Sequence, residues 1–243
     1  MKKAISMIII TVMLIGLSGS ANVFAEEEGY SELISHEAML SNYGGEKLSG
    51  DALTIYNQLK AAALEIAAGE RESTSVYISG SDLSSRWGIT DSASTAVNYL
   101  LIDCPYELFW YDKTIGYLYE SSGLFNPSLT LSFTVMSEFR KEEDSNYLTD
   151  SSKIRAAGAA LANALEIVSE AAEFSDYEKL VYYKDKICEL VSYDYATAKA
   201  VVSDEGYPYS GPWQLIYVFD GDKSTNVVCE GYSKAFQYLV DNT

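Results

Sequence analysis

The sequence is short of the residues on which many catalytic and metal sites depend. It contains one histidine, His36, and three cysteines, Cys104, Cys188 and Cys229. No Cys/His cluster has the spacing of zinc ligands, and no Gly-rich phosphate-binding loop is present in the sequence. We therefore expect neither a metal nor a cofactor.

Basic side chains are scarce as well. The chain has 17 Lys and Arg against 35 Asp and Glu, which gives a formal net charge of −18. So acidic a chain repels nucleic acid and anionic lipid surfaces, and we expect neither as a partner. Its hydrophobic content of 48% and aromatic content of 13% indicate a folded core rather than disorder.

The long apolar run of the sequence lies at its N-terminus. Lys2 and Lys3 precede the run from Ala4 to Leu17, and Val23-Phe24-Ala25 has the small-x-small pattern of a signal peptidase site. A transmembrane helix needs about 20 apolar residues, more than this run provides. The pattern predicts a signal peptide over residues 1–25, cleaved after Ala25. We therefore expect a secreted or cell-surface protein without a membrane segment after cleavage.

The rest of the chain divides into three predicted parts, and the fold class that they predict is α+β. Residues 26–48 are acidic and weakly periodic, which indicates a leader or linker. Residues 49–150 combine helical spacing with β-rich runs, so we predict a small mixed α+β accessory domain. Residues 151–243 have mainly helical patterns and form the third part.

Individual elements follow from the same patterns. The spacing predicts helices at residues 49–69, with Asp51 as cap, and at 91–101, 152–174 and 229–240, and the capping box Ser175–Glu178 opens a further helix. Runs of β-branched and aromatic residues predict strands at 74–78, 106–111, 115–119 and 128–135. Residues 213–219 predict either a strand or a buried apolar segment.

Two further features have plain structural interpretations. Residues 220–226 place oxygen-bearing side chains at alternating positions, but they lack the Gly and the distal Glu of a calcium loop, so we predict a turn. Trp213 and Gln214 are predicted core residues. For Cys104 and Cys188, a mutual disulfide and two free buried thiols are equal alternatives.

Cys229 is the candidate nucleophile. Val227 and Val228 precede it and helix-forming residues follow, which places the thiol in the first turn of a helix. There the unpaired N–H groups and the helix dipole stabilise a thiolate and can donate to an oxyanion. Gly231, without a side chain, allows a substrate or a neighbouring strand to approach the backbone closely. On spacing alone, a small buried residue is the commoner role of such a cysteine.

The run Val228-Cys229-Glu230-Gly231-Tyr232-Ser233-Lys234-Ala235-Phe236 resembles the nucleophile motif of the bacterial transglutaminase-like cysteine enzyme superfamily. That motif is Cys-x-Gly-Tyr, followed by a small residue and an apolar helix. The helix from Asp176 to Asp194 and the segment from Asp103 to Trp110 are similar to segments of exported members. The resemblance implies a papain-like α+β core, with Cys229 as the catalytic residue and Gly231 and Tyr232 as supporting residues of the motif.

The resemblance also implies an activity. It indicates hydrolysis or acyl transfer at amide bonds of a protein or peptide, cell-wall peptides included, through a thioester on Cys229. The family's histidine and aspartate follow the cysteine helix and map onto no residue of this sequence, and His36 precedes the cysteine, against the family's order. We therefore expect residues 151–243 to be a partial transglutaminase-like domain, inactive as given. The apolar face of its last helix is expected to lack a packing partner.

A second interpretation belongs to a different functional class. The chain would be a non-catalytic cell-surface or wall-associated binding protein that keeps the transglutaminase-like fold without its triad. The Cys-x-Gly-Tyr motif favours the enzyme, and the absence of mapped His and Asp partners favours the binding protein.

Overall fold

The structure, a computed structural model, describes residues 42–84, 88–122, 128–202 and 215–243. These residues form a mixed α+β fold, as the sequence predicts. The helices are α1 (Tyr43–Lys47), α2 (Gly50–Ala67), α3 (Ile89–Asp103), α4 (Ser151–Gly158), α5 (Ala160–Glu170), α6 (Asp176–Leu190), α7 (Tyr195–Val202), α8 (Ile216–Phe219) and α9 (Cys229–Asp241). The strands are β1 (Ser75–Ile78), β2 (Tyr117–Ser122) and β3 (Ser128–Phe133).

Several predicted features lie outside the described residues. They are the signal peptide, residues 26–41 of the leader, His36, and the pair Trp213 and Gln214.

The strands form one antiparallel sheet in the order β1-β3-β2. Val76 pairs with Leu131 and Ile78 pairs with Leu129, and all four side chains are buried on the same face. Helix α2 packs against both β1 and α3. The alternation of apolar and polar residues along β1 and β3 therefore assigns one face of the sheet to the core.

Helix α2, the first long helix, has a different N-cap residue from the one predicted. Its buried residues recur at helical spacing, from Ile55 and Leu59 to Ile66, as the sequence predicts. Asp51, however, is not its cap, because the N-cap residue is Ser49. The Asp51 carboxylate instead accepts hydrogen bonds from the backbone N–H and the hydroxyl of Ser84, both at 2.7 Å.

The predicted strand at residues 106–111 is wrong. Residues 106–110 form consecutive turns, closed by hydrogen bonds from Phe109 N to Tyr106 O at 3.1 Å and from Tyr111 N to Leu108 O at 3.0 Å. Tyr111 forms an isolated β-bridge with Val135. Residues 106–111 are all buried. A segment buried on all sides shows no alternation, so its aromatic content alone suggested a strand.

The predicted helix at residues 152–174 is two helices, α4 and α5, separated at Ala159. Asp150 caps the first, accepting from the backbone N–H of Ser152 and Lys153. Gly158, a poor helix former, is buried at the break, and its carbonyl accepts a hydrogen bond of 2.9 Å from the Tyr106 hydroxyl. The tertiary contact thus uses a carbonyl that a continuous helix would need for itself.

Residues 215–219, the described part of the predicted segment 213–219, do not form the strand that was one alternative. Within the described part, 215–219 include the short helix α8, in which Ile216, Val218 and Phe219 are buried. The other alternative, a buried apolar segment, is confirmed for these residues.

The end of the leader is not a loose linker. Helix α1 packs on α2 and α3, and the N–H of Gly44 donates to Asp103 at 2.6 Å. A Cβ at Gly44 would lie 2.6 Å from the Tyr56 ring, so only glycine permits this approach. The structure therefore places residues 42–48 against helices α2 and α3 of the part predicted as the accessory domain.

The last helix has the packing partner that we expected it to lack. Ala235 and Leu239 are fully buried, and the Tyr238 ring stacks on Tyr106 with 5.5 Å between ring centroids. Helices α5, α6 and α8 also pack on α9. Because residues of the accessory part share this core, the expectation of an uncovered apolar face is wrong.

No helix in the described ranges is both long and apolar enough to cross a bilayer.

Candidate active site at the start of helix α9

Helix α9 begins at the candidate nucleophile. Val227 forms a parallel β-bridge with Tyr193, and its carbonyl accepts a hydrogen bond of 3.1 Å from the N–H of Asp194. Val228 is extended, and Cys229 is the first residue of a helix of 13 residues. The structure thus confirms the position predicted for Cys229.

The thiol of Cys229 is accessible. Cys104 is free and buried, whereas Cys188 and Cys229 are free and exposed. Two earlier alternatives are therefore corrected, because Cys104 and Cys188 form no disulfide and Cys188 is not buried. The simple interpretation of Cys229 as a small core residue also fails, since its side chain faces solvent.

The N-terminus of α9 has no side-chain cap. Its N-cap residue is Val228, which has no acceptor in its side chain, and no side chain of the described residues supplies a cap hydrogen bond. Helix α6, by contrast, begins with the predicted capping box, in which Glu178 accepts from the backbone and the hydroxyl of Ser175. In the first turn of α9, the N–H groups without intrahelical partners are thus available to water or a ligand.

Gly231 permits the strand-like segment before the helix to pack against it. A Cβ at Gly231 would lie only 2.6 Å from the Cβ of Val227, closer than carbon atoms in contact can approach. The structure shows a close approach at Gly231, but the approaching residue is Val227, which lies four positions earlier in an isolated β-bridge and not in a neighbouring strand.

Tyr232 ties α9 to the end of α6. Its hydroxyl donates to the carbonyl of Val191 at 3.0 Å, and its ring stacks on Tyr193 with centroids 6.1 Å apart. Burial raises the pKa of Tyr232, with smaller contributions from Cys188 and Tyr195. The phenol is therefore protonated at neutral pH and acts here as a donor that fixes the helix, not as a base.

A charged cluster flanks the other side of the helix start. Glu230 pairs with Lys113, and its second oxygen lies 3.3 Å from Lys234 Nζ. Burial alone would raise the pKa of Glu230, but the hydrogen bond from Lys113 and the charge of Lys234 outweigh it and lower that pKa. Burial lowers the pKa of Lys234, against the effect of Glu230. Glu230 therefore lies between the side chains of Lys113 and Lys234, which favour its anionic form.

Lys113 is a site residue that sequence reasoning missed. It lies 117 positions from Glu230 in the chain, in the loop that leads into β2. The loop is closed by hydrogen bonds from Thr114 to the Asp112 carboxylate and from Gly116 N to Asp112 O. No local pattern marks such a pairing, because it depends on how the accessory part packs against α9.

Asp194, in the segment that resembles the family's helix, has a capping role. Its carboxylate accepts from the N–H of Thr197 at 2.9 Å and from the Thr197 hydroxyl at 2.6 Å. These bonds begin α7 and hold Tyr193 and Tyr195 beside α9.

The loop at residues 220–226 is a turn, as predicted. Asp220 accepts from Asp222 N and from the Thr225 hydroxyl, and Asp222 accepts from the N–H and hydroxyl of Ser224. The carboxylates are thus engaged by the turn itself. In the described part of the chain, no group of three or more His, Cys, Asp or Glu side chains is placed to hold a metal ion.

The structure brings Cys229, Gly231 and Tyr232 together at one helix start and adds Lys113, Tyr193 and Tyr195 to their surroundings. Comparison with protein-family models and with curated proteins finds no match to this chain.

Proposed function

We propose that the protein is an exported thiol enzyme that acts on amide bonds through a thioester on Cys229. The observation that carries this proposal is an accessible free thiol at the first residue of a helix without a side-chain cap. The resemblance of Cys229–Phe236 to the transglutaminase-like motif supports it, as does the close packing that Gly231 and Tyr232 provide. The proposed architecture is a papain-like core, of which α9 is the cysteine helix.

The proposed chemistry has two halves. The Cys229 thiolate attacks the carbonyl carbon of the substrate amide, a C–S bond forms, and the carbonyl electron pair moves to oxygen. First-turn N–H groups of α9 donate to this oxyanion. When the tetrahedral intermediate collapses, the C–N bond breaks and the amine leaves with a proton taken from water, which becomes hydroxide. Water or another amine then takes the acyl group and restores the thiol. The proposed substrate is a protein or peptide, cell-wall peptides included.

A comparison of two cysteines tests this proposal. Cys229 and Cys188 are both exposed, but Cys229 lies at the N-terminus of α9 and Cys188 lies in the last turn of α6. A helix N-terminus stabilises a thiolate, and a C-terminus destabilises it. We expect iodoacetamide to alkylate Cys229 about three- to thirtyfold faster than Cys188, given about 0.3–1 kcal/mol at each helix end.

The measurement is peptide mapping by mass spectrometry during limited alkylation of the folded protein at neutral pH. Urea-unfolded protein is the control, in which the two rates should become similar because both helices are lost. Equal rates in the folded protein would contradict the proposal.

The alternative is a binding protein with the same fold, and one observation favours it. The sole histidine of the sequence, His36, lies outside the described residues, so none of the residues described around Cys229 is the usual base of a cysteine enzyme. A Cys229 that reacts no faster than Cys188 would support this alternative.

A further inference from the structure

Three tyrosines form a cluster beside Cys229. Tyr193 lies at its centre, stacked on Tyr232 and in contact with Tyr195 at a ring-centroid distance of 4.9 Å and an interplanar angle of 57°. We call Tyr193, Tyr195 and Tyr232 the tyrosine cluster.

The cluster is held beside the start of α9 by contacts with residues that precede and follow Cys229 in the chain. The β-bridge joins Tyr193 to Val227, two residues before Cys229. The ring stack joins Tyr193 to Tyr232, three residues after it. Residues three apart are neighbours on one face of a helix, so Tyr232 and Cys229 share a face. Glu230 is rotated by about 100° around the helix axis from Cys229, so Glu230 and its two lysine partners lie on a different side of α9.

One member of the cluster is open to solvent, and the other two are half-buried. Tyr195 is 76% exposed, and its ring contact is with Tyr193. Such a ring adds little to the core, since most of its apolar area remains in water. Tyrosine is, however, a common anchor at binding surfaces, because a rigid ring contributes contact area at low entropic cost.

On the premise of the proposed function, we infer that the tyrosine cluster is the subsite for an aromatic or large apolar side chain of the peptide substrate, next to the amide that Cys229 attacks. The subsite residue that determines specificity is Tyr195. Edge-to-face or offset stacking on its ring favours an aromatic side chain over none. The rings of the cluster present apolar faces to a side chain, whereas the charged Lys113–Glu230–Lys234 cluster lies on another side of the helix.

Two peptidyl chloromethyl ketones test the inference, one with N-acetyl-phenylalanine and one with N-acetyl-glycine as the recognition element. In each, the Cys229 thiolate displaces chloride, so a C–S bond forms and a C–Cl bond breaks. The measured quantity is the ratio of the second-order labelling rates at Cys229, phenylalanine probe over glycine probe. We expect the wild-type protein to favour the phenylalanine probe. Tyr195→Ala should reduce that ratio by about two- to tenfold, the range of one aromatic contact.

Matched variants make the test specific. Tyr177 is 75% exposed in the first turn of α6, so Tyr177→Ala removes an equally exposed ring and should leave the ratio unchanged. Tyr195→Phe keeps the ring and should also keep the ratio. The rate with iodoacetamide, which carries no side chain, should be unchanged in Tyr177→Ala, and it is measured in the Tyr195 variants to separate thiol reactivity from side-chain recognition.

The possible failures are distinguishable. In the first case iodoacetamide still labels Cys229 preferentially, but the wild-type ratio is near one or Tyr195→Ala leaves it unchanged. This result would overturn the subsite and leave the proposed function intact. If iodoacetamide does not prefer Cys229 in the wild-type protein, the proposed function is wrong and the subsite inference falls with it.

Discussion

Replacing Leu239 with alanine is expected to lower the free energy of unfolding by about 2–5 kcal/mol, the range for a fully buried leucine. Leu239 is completely buried in α9, in a core to which the accessory part contributes Tyr106. The truncation removes apolar contacts and leaves a cavity that surrounding side chains fill only in part. Denaturant unfolding followed by circular dichroism measures the effect.

The adjacent residue is the control for this prediction. Val240 is 37% exposed, so Val240→Ala alters the same turn of the helix without opening a buried cavity, and should cost less than about 1 kcal/mol. Equal effects of the two substitutions would mean that α9 is not packed on the core as the structure has it.

Asp103→Ala is expected to destabilise the protein by about 2–4 kcal/mol, because it leaves two buried donors without this acceptor. One Asp103 oxygen accepts from the Tyr56 hydroxyl at 2.5 Å and from Gly44 N at 2.6 Å. The first contact is within the accessory part, and the second holds the end of the leader. Denaturant unfolding of the two proteins measures the loss, and α1 should also become accessible to protease.

A double-mutant cycle with Tyr56→Phe separates the hydrogen bond from general damage. Tyr56→Phe should cost less in the Asp103→Ala background than in the wild type, and an equal cost in both would contradict the contact.

Burial, followed by the hydrogen bond to Asp103, raises the pKa of Tyr56, so the folded state retains the phenol proton to a higher pH than the unfolded chain does. The protonated Tyr56 therefore contributes to the stability of the folded state. This contribution is complete below about pH 10, the ordinary pKa of the unfolded chain's phenol, and is lost as the pH rises further. Tyr56→Phe should therefore weaken the decline in stability above that pH.

Helices with a strong local signal were predictable from the sequence. The apolar spacing of α2, the Ser175–Glu178 capping box of α6 and the start of α9 at Cys229 all depend on residues within a few positions of one another. Their physical causes are local, namely burial of one helix face and satisfaction of terminal N–H groups. Gly231 was predictable as a point of close approach for the same reason.

Other features depend on distant residues and carry no local signal. The turns at 106–111 are buried on every side, so their sequence shows no period from which to distinguish them from a strand. The break at Gly158 coincides with a hydrogen bond from Tyr106, 52 positions away in the chain. The ion pair of Lys113 with Glu230 and the position of Tyr193 beside Cys229 likewise arise only from packing. The sequence therefore identified the candidate nucleophile and the motif residues Gly231 and Tyr232, but not the side chains that distant parts of the chain bring to them.

Formation of an acyl-enzyme on Cys229 tests the central claim most directly. The folded protein is incubated with p-nitrophenyl acetate, whose leaving group departs as a stabilised anion and needs no proton from a histidine. The account predicts a mass increase of one acetyl group, located on Cys229 by peptide mapping, present in Cys188→Ser and absent in Cys229→Ser. Acetylation that is confined to Cys188 or spread over lysines, with Cys229 unmodified, would contradict it.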